Sequence, residues 1–575
     1  MTKIVLGDAV SGYNLAIIND NFERIQDELN NKVLYRDNPV GEPNQMLNTL
    51  DMNSNRIVNL PKPVGLSEPA RLQDLVDVAT TGQVPTSASQ ILVNPVGGIV
   101  STDVQSALVE LSTEASNEAT NRASADALLA SSIVPLAYPV NNIAELRTVS
   151  KTAHAYVVTR GYYAAGDKGG SRYYLDINDS TSADNGGSVI VASDGGRWKI
   201  ADAYPWTLAQ FGGKPDGITD NLSAFLALKN AAPDSARIHI KIGPGKWYFT
   251  NTITHNFGAN NTIQSFKIEG SGSGITSLLF AASVIGIATN HNGSFHTVHY
   301  KGFDMLTTGQ GPTTCYGMLL TQLSTSIPNP ANTAPSYIED IVFRGSDGFI
   351  VSNYWQQGVR INGMSNIYFT DCHFAGMYPN GDAVIMFSTT SAVIPCVFNF
   401  LNCSFVGWNT SINYGANVQG VSITMCNFTG NNYGVFAASG LVNLDQLSIT
   451  GSQFNNAIAS IGLNSPVGAF TCTNSFFLVQ NNSNGIYINN AYDYSLFGNV
   501  FNPAALPATN QNGITIDTYL GAGGVITGNS FIQLTTAITL KAGSQRTNVQ
   551  SNTYWNNTTT VSNLGTNNTV GGGSA

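Results

Sequence analysis

Charge is what this chain of 575 residues has least of: Asp, Glu, Lys and Arg make up 11% of it, against about 25% in ordinary globular proteins. The net charge is −10 and no Lys/Arg cluster occurs, which excludes duplex binding by phosphate neutralisation; no nucleic-acid partner is expected. No stretch reaches the ~18 apolar residues of a spanning helix, so no membrane partner is expected either. Met1 to Asn21 holds one Lys and no apolar core of a signal peptide, which predicts a protein made and finished in a cytoplasm. The six cysteines, at 315, 372, 396, 403, 426 and 472, show no CxxC and no His at zinc-like spacing, so reduced buried thiols are expected, with no metal and no cofactor. Low charge does not mean disorder, because 42% of the residues are hydrophobic and can build a core. The polar surface then falls to Asn, Ser, Thr and Gly, a composition suited to a turn-rich β protein.

The length exceeds the roughly 100 to 200 residues of one domain, and the pattern changes several times. Leu15, Ile18, Phe22, Ile25 and Leu29 step by 3, 4, 3 and 4, the seam of a helix that meets copies of itself or a partner helix. Residues 81–100 read as a linker. Val104, Leu108, Leu111 and Ala115 then repeat at 4, 3 and 4 in a stretch running to Ser132, predicting a helical stalk. From 138 to 203 short β-prone runs alternate with Gly/Asp turns. Gly166-Asp-Lys-Gly-Gly170 lacks the GK[ST] ending of a phosphate loop.

The second half repeats. A small or polar residue stands two places before an aromatic at Cys372/Phe374, Cys403/Phe405, Cys426/Phe428, Ser452/Phe454, Asn474/Phe476, Asn499/Phe501, Asn529/Phe531 and Asn552/Tyr554. Five places before each aromatic stands an apolar residue, with Thr471 the exception. An earlier turn fits through Ile338, Ile341 and Phe343. Such periods predict a three-faced parallel β-helix whose turns stack ~4.8 Å apart. The column before the aromatics becomes a ladder of Cys, Ser and Asn that satisfies buried backbone groups. A further strand column runs through Gly485-Ile-Tyr-Ile-Asn489, Gly513-Ile-Thr-Ile-Asp517 and Ala537-Ile-Thr-Leu-Lys541.

Three segments carry a family resemblance. Asn44-Gln-Met-Leu-Asn-Thr-Leu-Asp-Met-Asn-Ser-Asn-Arg-Ile-Val-Asn-Leu-Pro-Lys-Pro63 with Ser67-Glu-Pro-Ala-Arg-Leu-Gln-Asp-Leu75 resembles the virion-anchoring segment of tail fibres and tailspikes of short-tailed phages. Gly161-Tyr-Tyr, Gly166-Asp and Gly196-Arg-Trp resemble the small β module of phage depolymerases. Leu208-Ala-Gln-Phe-Gly-Gly-Lys-Pro-Asp-Gly-Ile-Thr-Asp220 is similar to the first turn of pectate-lyase-like β-helices, with Gly213, Pro215 and Trp247 as departures and Asp220 as the expected N-cap of a short helix. The resemblance to phage tailspike and capsular polysaccharide depolymerases implies a mainly β chain: a single-stranded right-handed parallel β-helix behind an α-helical anchor and stalk and a small β module, assembled as a homotrimer. The expected division is 1–80 anchor, 81–137 linker and stalk, 138–203 β module, 204–555 β-helix and 556–575 tail. The implied partners are a bacterial surface polysaccharide, copies of the chain itself, and a phage tail or adaptor protein at the N-terminus. The implied location is the virion.

Glycoside hydrolysis needs two carboxyl groups, and beyond residue 250 only ten acids occur: Glu269, Asp304, Glu339, Asp340, Asp347, Asp371, Asp382, Asp445, Asp493 and Asp517. Asp340 and Asp371 stand three places before core aromatics on adjacent turns, one strand spacing apart, ~5 Å and near the separation of a retaining pair. Like charges that close raise one pKa, giving an acid and a base. Glu339 is adjacent, and Arg344 and His373 flank the same aromatics. The plainer alternative is that both Asp residues cap turns; two carboxylates do not define a calcium site. Asp347 and Asp382 read as turn residues, either of which could enter the site from a loop. Tyr354, Trp355, Arg360 and Trp408 are the expected sugar-binding residues. The expected activity is endo-glycosidic hydrolysis of capsule or O-antigen. A polysaccharide lyase is one alternative, disfavoured by only six Lys/Arg after residue 250, and a non-catalytic adhesin is another.

Overall fold

The computed structural model describes residues 97–132, 137–258, 262–323, 333–518 and 523–571, with Gly521 and short stretches nearer the N-terminus. The chain divides into two compact units, Met1–Ser131 and Ser132–Ala575. Within the first, residues 19–26 are helical; the rest of the expected assembly helix and most of the anchor motif lie outside the described residues. Val104–Ser132 is one helix of 29 residues. Leu108 and Leu111 of its apolar stripe are exposed on the single chain.

The second unit opens with a five-stranded sheet. Tyr138–Val140 pairs in parallel with Tyr156–Thr159, and Arg172–Leu175, Arg197–Ile200 and Val189–Val191 continue in antiparallel order. Tyr173 and Trp198 fill its core. Its Gly-Asp turn is held by Asp167, whose carboxylate accepts N–H groups of Tyr162, Tyr163, Ala164 and Gly169, so the loop is occupied by its own acid. The module is seated on the short helical turn Leu208–Phe211 and its capping Gly212, through Tyr163 Oη donating to the Gly212 carbonyl at 2.8 Å and Gln210 to Ser171 at 2.9 Å.

Beyond it, 34 strands form one continuous ladder. Each circuit lays one strand on each of three parallel sheets. The first sheet stacks Arg237–Lys241, Gln264–Glu269, the start of His296–Thr307, Ser336–Gly345 and Ile367–Thr370, and continues to Thr569–Val570. The second begins with Asp216–Asp220 laid on Gly245–Phe249 and Thr276–Phe280, and the third with Ile253–Asn256 and Ile287–His291. This is a parallel β-helix. Leu222–Asn230 caps its open end, burying Phe225 against Phe249 and Phe266, as a terminal repeat requires. Its N-cap position is Asn221, one residue beyond the expected Asp220; the Asp220 carboxylate still accepts the Leu222 N–H at 3.1 Å. At the far end Thr559–Asn563 pairs with the strand Thr536–Gly543, so the segment expected as a tail joins the stack.

The interior obeys the periodicity, with one correction. Phe343, Phe374, Phe405, Phe428, Phe454, Phe477, Phe501 and Phe531 form one column with ring centroids 4.6 to 4.9 Å apart, the strand spacing itself. The ring in the column is Phe477 and not Phe476, and the ladder residue before it is Ser475 and not Asn474, which is the left-handed corner residue at φ 51°. The residue five places back is then Cys472, fully buried, and the Thr471 exception vanishes. Along the ladder Asn499 Oδ1 accepts the Ser475 N–H at 3.0 Å, Asn529 Oδ1 the Asn499 N–H at 2.9 Å, and Asn552 Oδ1 the Asn529 N–H at 2.9 Å. Their amide groups donate onward to the Cys472, Leu496 and Ile526 carbonyls. Gly485 and Gly513 on the third sheet give the rings room: a Cβ there would stand 2.8 Å from Phe501 or Phe531.

Candidate functional site

The expected site residues divide among different faces of the β-helix. Asp340 and Asp371 occupy the corner between the first and second sheets, at φ 50° and 55°, with Asn402 at 53° in the same position of the next circuit. Asp and Asn tolerate this left-handed conformation better than most residues. The Asp340 carboxylate accepts Ser273 N–H and Oγ–H, from an earlier circuit, while Asp371 accepts the Asn402 side-chain N–H at 2.6 Å, from the next one. The two carboxylates are thus engaged in opposite directions along the stack.

Glu339 lies beside that corner on the outer face of the first sheet. It is bonded by His299 at 3.2 Å and Lys301 at 3.1 Å. Partial burial raises its pKa, but those two hydrogen bonds outweigh it and hold the carboxyl below its ordinary range. Arg344 is on the second sheet. It pairs with the buried Asp304 at 3.0 Å and stacks on Phe349 at 5.0 Å. His373 meets the same Phe349 ring at 5.4 Å, and burial lowers its pKa. Both sit beneath the loop after Gly345, which Asp347 fastens by accepting N–H groups of Ser352 and Asn353.

Two of the expected sugar-binding residues are interior. Trp355 and Trp408 are fully buried, and each indole N–H donates inward at 3.0 Å, to the Met305 and Phe374 carbonyls. Neither offers a face to a ligand. Gly376 explains the second case, since a Cβ there would stand 2.5 Å from the Trp408 ring. Tyr354 is fixed by its backbone, bonded to Gly309 and Gly311. Arg360 is on the outer face of the third sheet, over Phe387 at 4.4 Å and Tyr316 at 5.4 Å, and donates to Gln357 at 3.1 Å.

Near Arg360 the structure brings in a residue that its sequence context marks as a turn. Asp382 heads the strand Asp382–Phe387, in register between Gln357 and Thr410. Burial pushes its pKa up, against hydrogen bonds from Asn413 and Thr410 and the charge of Arg360. Among the described Asp and Glu residues it is the one with a resolved upward shift.

Four residues before it, Tyr378 borders an open groove of ≈ 440 Å³ with Thr429, Gly430, Asn455, Ala457, Gln480 and Asn481. The Gln480 amide donates to Asn455 Oδ1. Among the described residues no charged side chain lines the groove. The signal for it in the sequence is weak: Thr429 and Asn455 each come one place after a core aromatic, and Gln480 comes three places after one. Among the described residues no group of three or more His, Cys, Asp or Glu is placed to hold a metal, and no helix is long and apolar enough to cross a membrane.

Residues 139–202 match the family model of the phage tail protein small four-stranded β-sheet domain. The chain is 32% identical over 134 residues to the Mu-like prophage FluMu defective tail fiber protein of Haemophilus influenzae, a match covering 22% of this chain and 19% of that protein. Among solved structures, the enzymatically active domain of tailspike protein 2 of bacteriophage CBA120 is similar at 16% identity and a TM-score of 0.42, over 68% of this chain and 52% of that one. Tailspike protein gp49 of the Acinetobacter baumannii bacteriophage Fri1, a capsular polysaccharide depolymerase, is similar at 14% identity and a TM-score of 0.46, over 75% and 76%. Both likenesses are of fold. In this chain a module similar to the phage tail protein small β-sheet domain precedes a long parallel β-helix.

Proposed function

We propose that this chain is the spike of a phage tail, a virion component that binds a bacterial surface polysaccharide and cuts it internally by hydrolysis. The observation that carries the reading is the groove at Tyr378. Its amides and hydroxyl both donate and accept hydrogen bonds, as sugar hydroxyls demand, and its aromatic ring offers an apolar face; fixed polar groups on a mostly uncharged wall are what orient a ligand. Such a wall, on a β-helix that follows a module matched to phage tails, suits a polyhydroxylated polymer outside the cell.

Hydrolysis needs a carboxyl able to donate a proton. In this reading Asp382 is that donor, because burial moves its pKa upward, the direction a proton donor requires. Asp340, Asp371 and Glu339 form the alternative catalytic group at the corner, with Arg344 and His373 beside it as binding residues. The homotrimer, and attachment to the tail or an adaptor through the N-terminal segment, belong to the same proposal.

Incubating the purified chain with host capsule tests it. New reducing ends are the expected product, whereas unsaturated ends absorbing in the ultraviolet indicate a lyase, and binding without shortening indicates an adhesin. Asp382→Asn should lower the rate at least a hundredfold, in line with the ~10²–10⁴ supplied by general acids. Full activity in that variant, with loss in Asp340→Asn or Asp371→Asn, moves the chemistry to the corner.

A further inference from the structure

The outer face of the first sheet carries, over its lowest circuits, a patch unlike the rest of the β-helix. Lys241, Glu269, Lys301 and Glu339 stand in one column, each in register with the next. His239, Lys267, His299, Tyr337 and Tyr368 form the neighbouring column. Each carboxylate fixes one imidazole and one ammonium: Glu269 holds His239 at 2.8 Å and Lys267 at 3.1 Å, as Glu339 holds His299 and Lys301. An ammonium has three donors, so each Lys paired to a Glu keeps N–H groups for a ligand. Above them the Tyr337 and Tyr368 rings stack at 5.4 Å, with His299 at 5.7 Å from Tyr337. The paired Lys and His side chains remain a quarter to a half exposed.

Charge makes the patch stand out. The chain carries −10 overall and only six Lys/Arg beyond residue 250, yet two of those six, Lys267 and Lys301, join Lys241 and two His around two Glu here. Successive cations advance by whole circuits of about 4.8 Å, a step comparable with one sugar ring of an extended glycan. We propose that this face binds an acidic glycan running along the helix axis, its carboxylates meeting Lys241, Lys267 and Lys301 while a sugar ring lies on the tyrosine pair. The inference rests on the polysaccharide reading but uses a different face from the Tyr378 groove.

Affinity electrophoresis of the full-length chain, in gels containing polygalacturonate, alginate, hyaluronan or neutral dextran, tests it. Retardation by at least one acidic polymer and not by dextran is expected, weakened about tenfold in Lys267→Gln/Lys301→Gln and unchanged in Lys541→Met, which removes a cation from a different sheet. A thermal melt and a sizing column confirm that the double variant keeps its fold and mass. Passage through all three acidic gels without retardation overturns the proposal, as does equal retardation of the double variant. A change of assembly mass with glycan retardation intact also overturns it, and marks the face as a contact between copies. Capsule cleavage that persists alongside any of these negative results leaves the depolymerase reading standing while removing this one.

Discussion

The two ends of the β-helix solve the same problem by different means. From the circuit of Cys426 upward, buried backbone groups are met by a column of Ser and Asn, and one ring stands on another with little tilt. Among the described residues, the circuits before Phe343 have no such column, and Leu278 and Met305 hold the ring's place in register. Their interior holds His255 stacked on Phe266, and His291 and His296 against Phe257, and their outer face carries ion pairs. No histidine occurs after His373. Order by repetition characterises one end and titratable groups the other, so perturbations should separate them.

The largest effect is expected at Asn529→Leu. It strips a partner from the Asn499 N–H and the Leu496 carbonyl, and two buried groups at ~1–3 kcal/mol each give a loss of roughly 4 kcal/mol, read as earlier unfolding in denaturant. Acid should act on the opposite end. Burial lowers the pKa of His255 to about 4 and of His291 to about 3, so the unfolded chain takes up their protons first. Their contribution is intact above pH ~6.5 and falls as the pH drops through 6 toward 4, at about 1.4 kcal/mol per unit of separation. Hydrogen exchange should then quicken in residues 287–300 while residues 491–518 keep their protection; equal loss at both ends would break the contrast. Ser475→Ala, which leaves the Ser452 N–H without its partner, should cost about 1 to 2 kcal/mol. Least of all, Lys541→Met removes a surface pair to Asp517 at 2.7 Å and should shift stability by less than ~1 kcal/mol.

The same contrast governs what the amino-acid order reveals. In the upper circuits one residue type recurs at one offset because stacking forces it, so the columns can be counted before any coordinates are known. The slip at Asn474 arises where Phe476 and Phe477 are adjacent, and Thr471 is its visible symptom, since a polar residue stands in an otherwise apolar row. Site residues carry no such period. Asp340 and Asp371 recur because a left-handed corner favours Asp and Asn, which makes them easy to find on structural grounds alone. Trp355 and Trp408 look like sugar platforms in the sequence, but each has a backbone carbonyl for its indole N–H and a place in the core. Asp382 reads as a mere turn residue because its setting, Pro-Asn-Gly-Asp, is turn chemistry; only the folded chain sets Asn413 and Arg360 around it.

Ring column, amide column and backbone ladder all advance by the same distance per circuit, so no row has to stretch to accommodate another. The length of such a rod is therefore a free variable. Whole circuits can be gained or lost without redesigning the cross-section, and extra residues are absorbed at the corners, where a bulge outward leaves the pitch unaltered. A molecule that must reach across a polymer layer of variable depth can change its reach by counting turns.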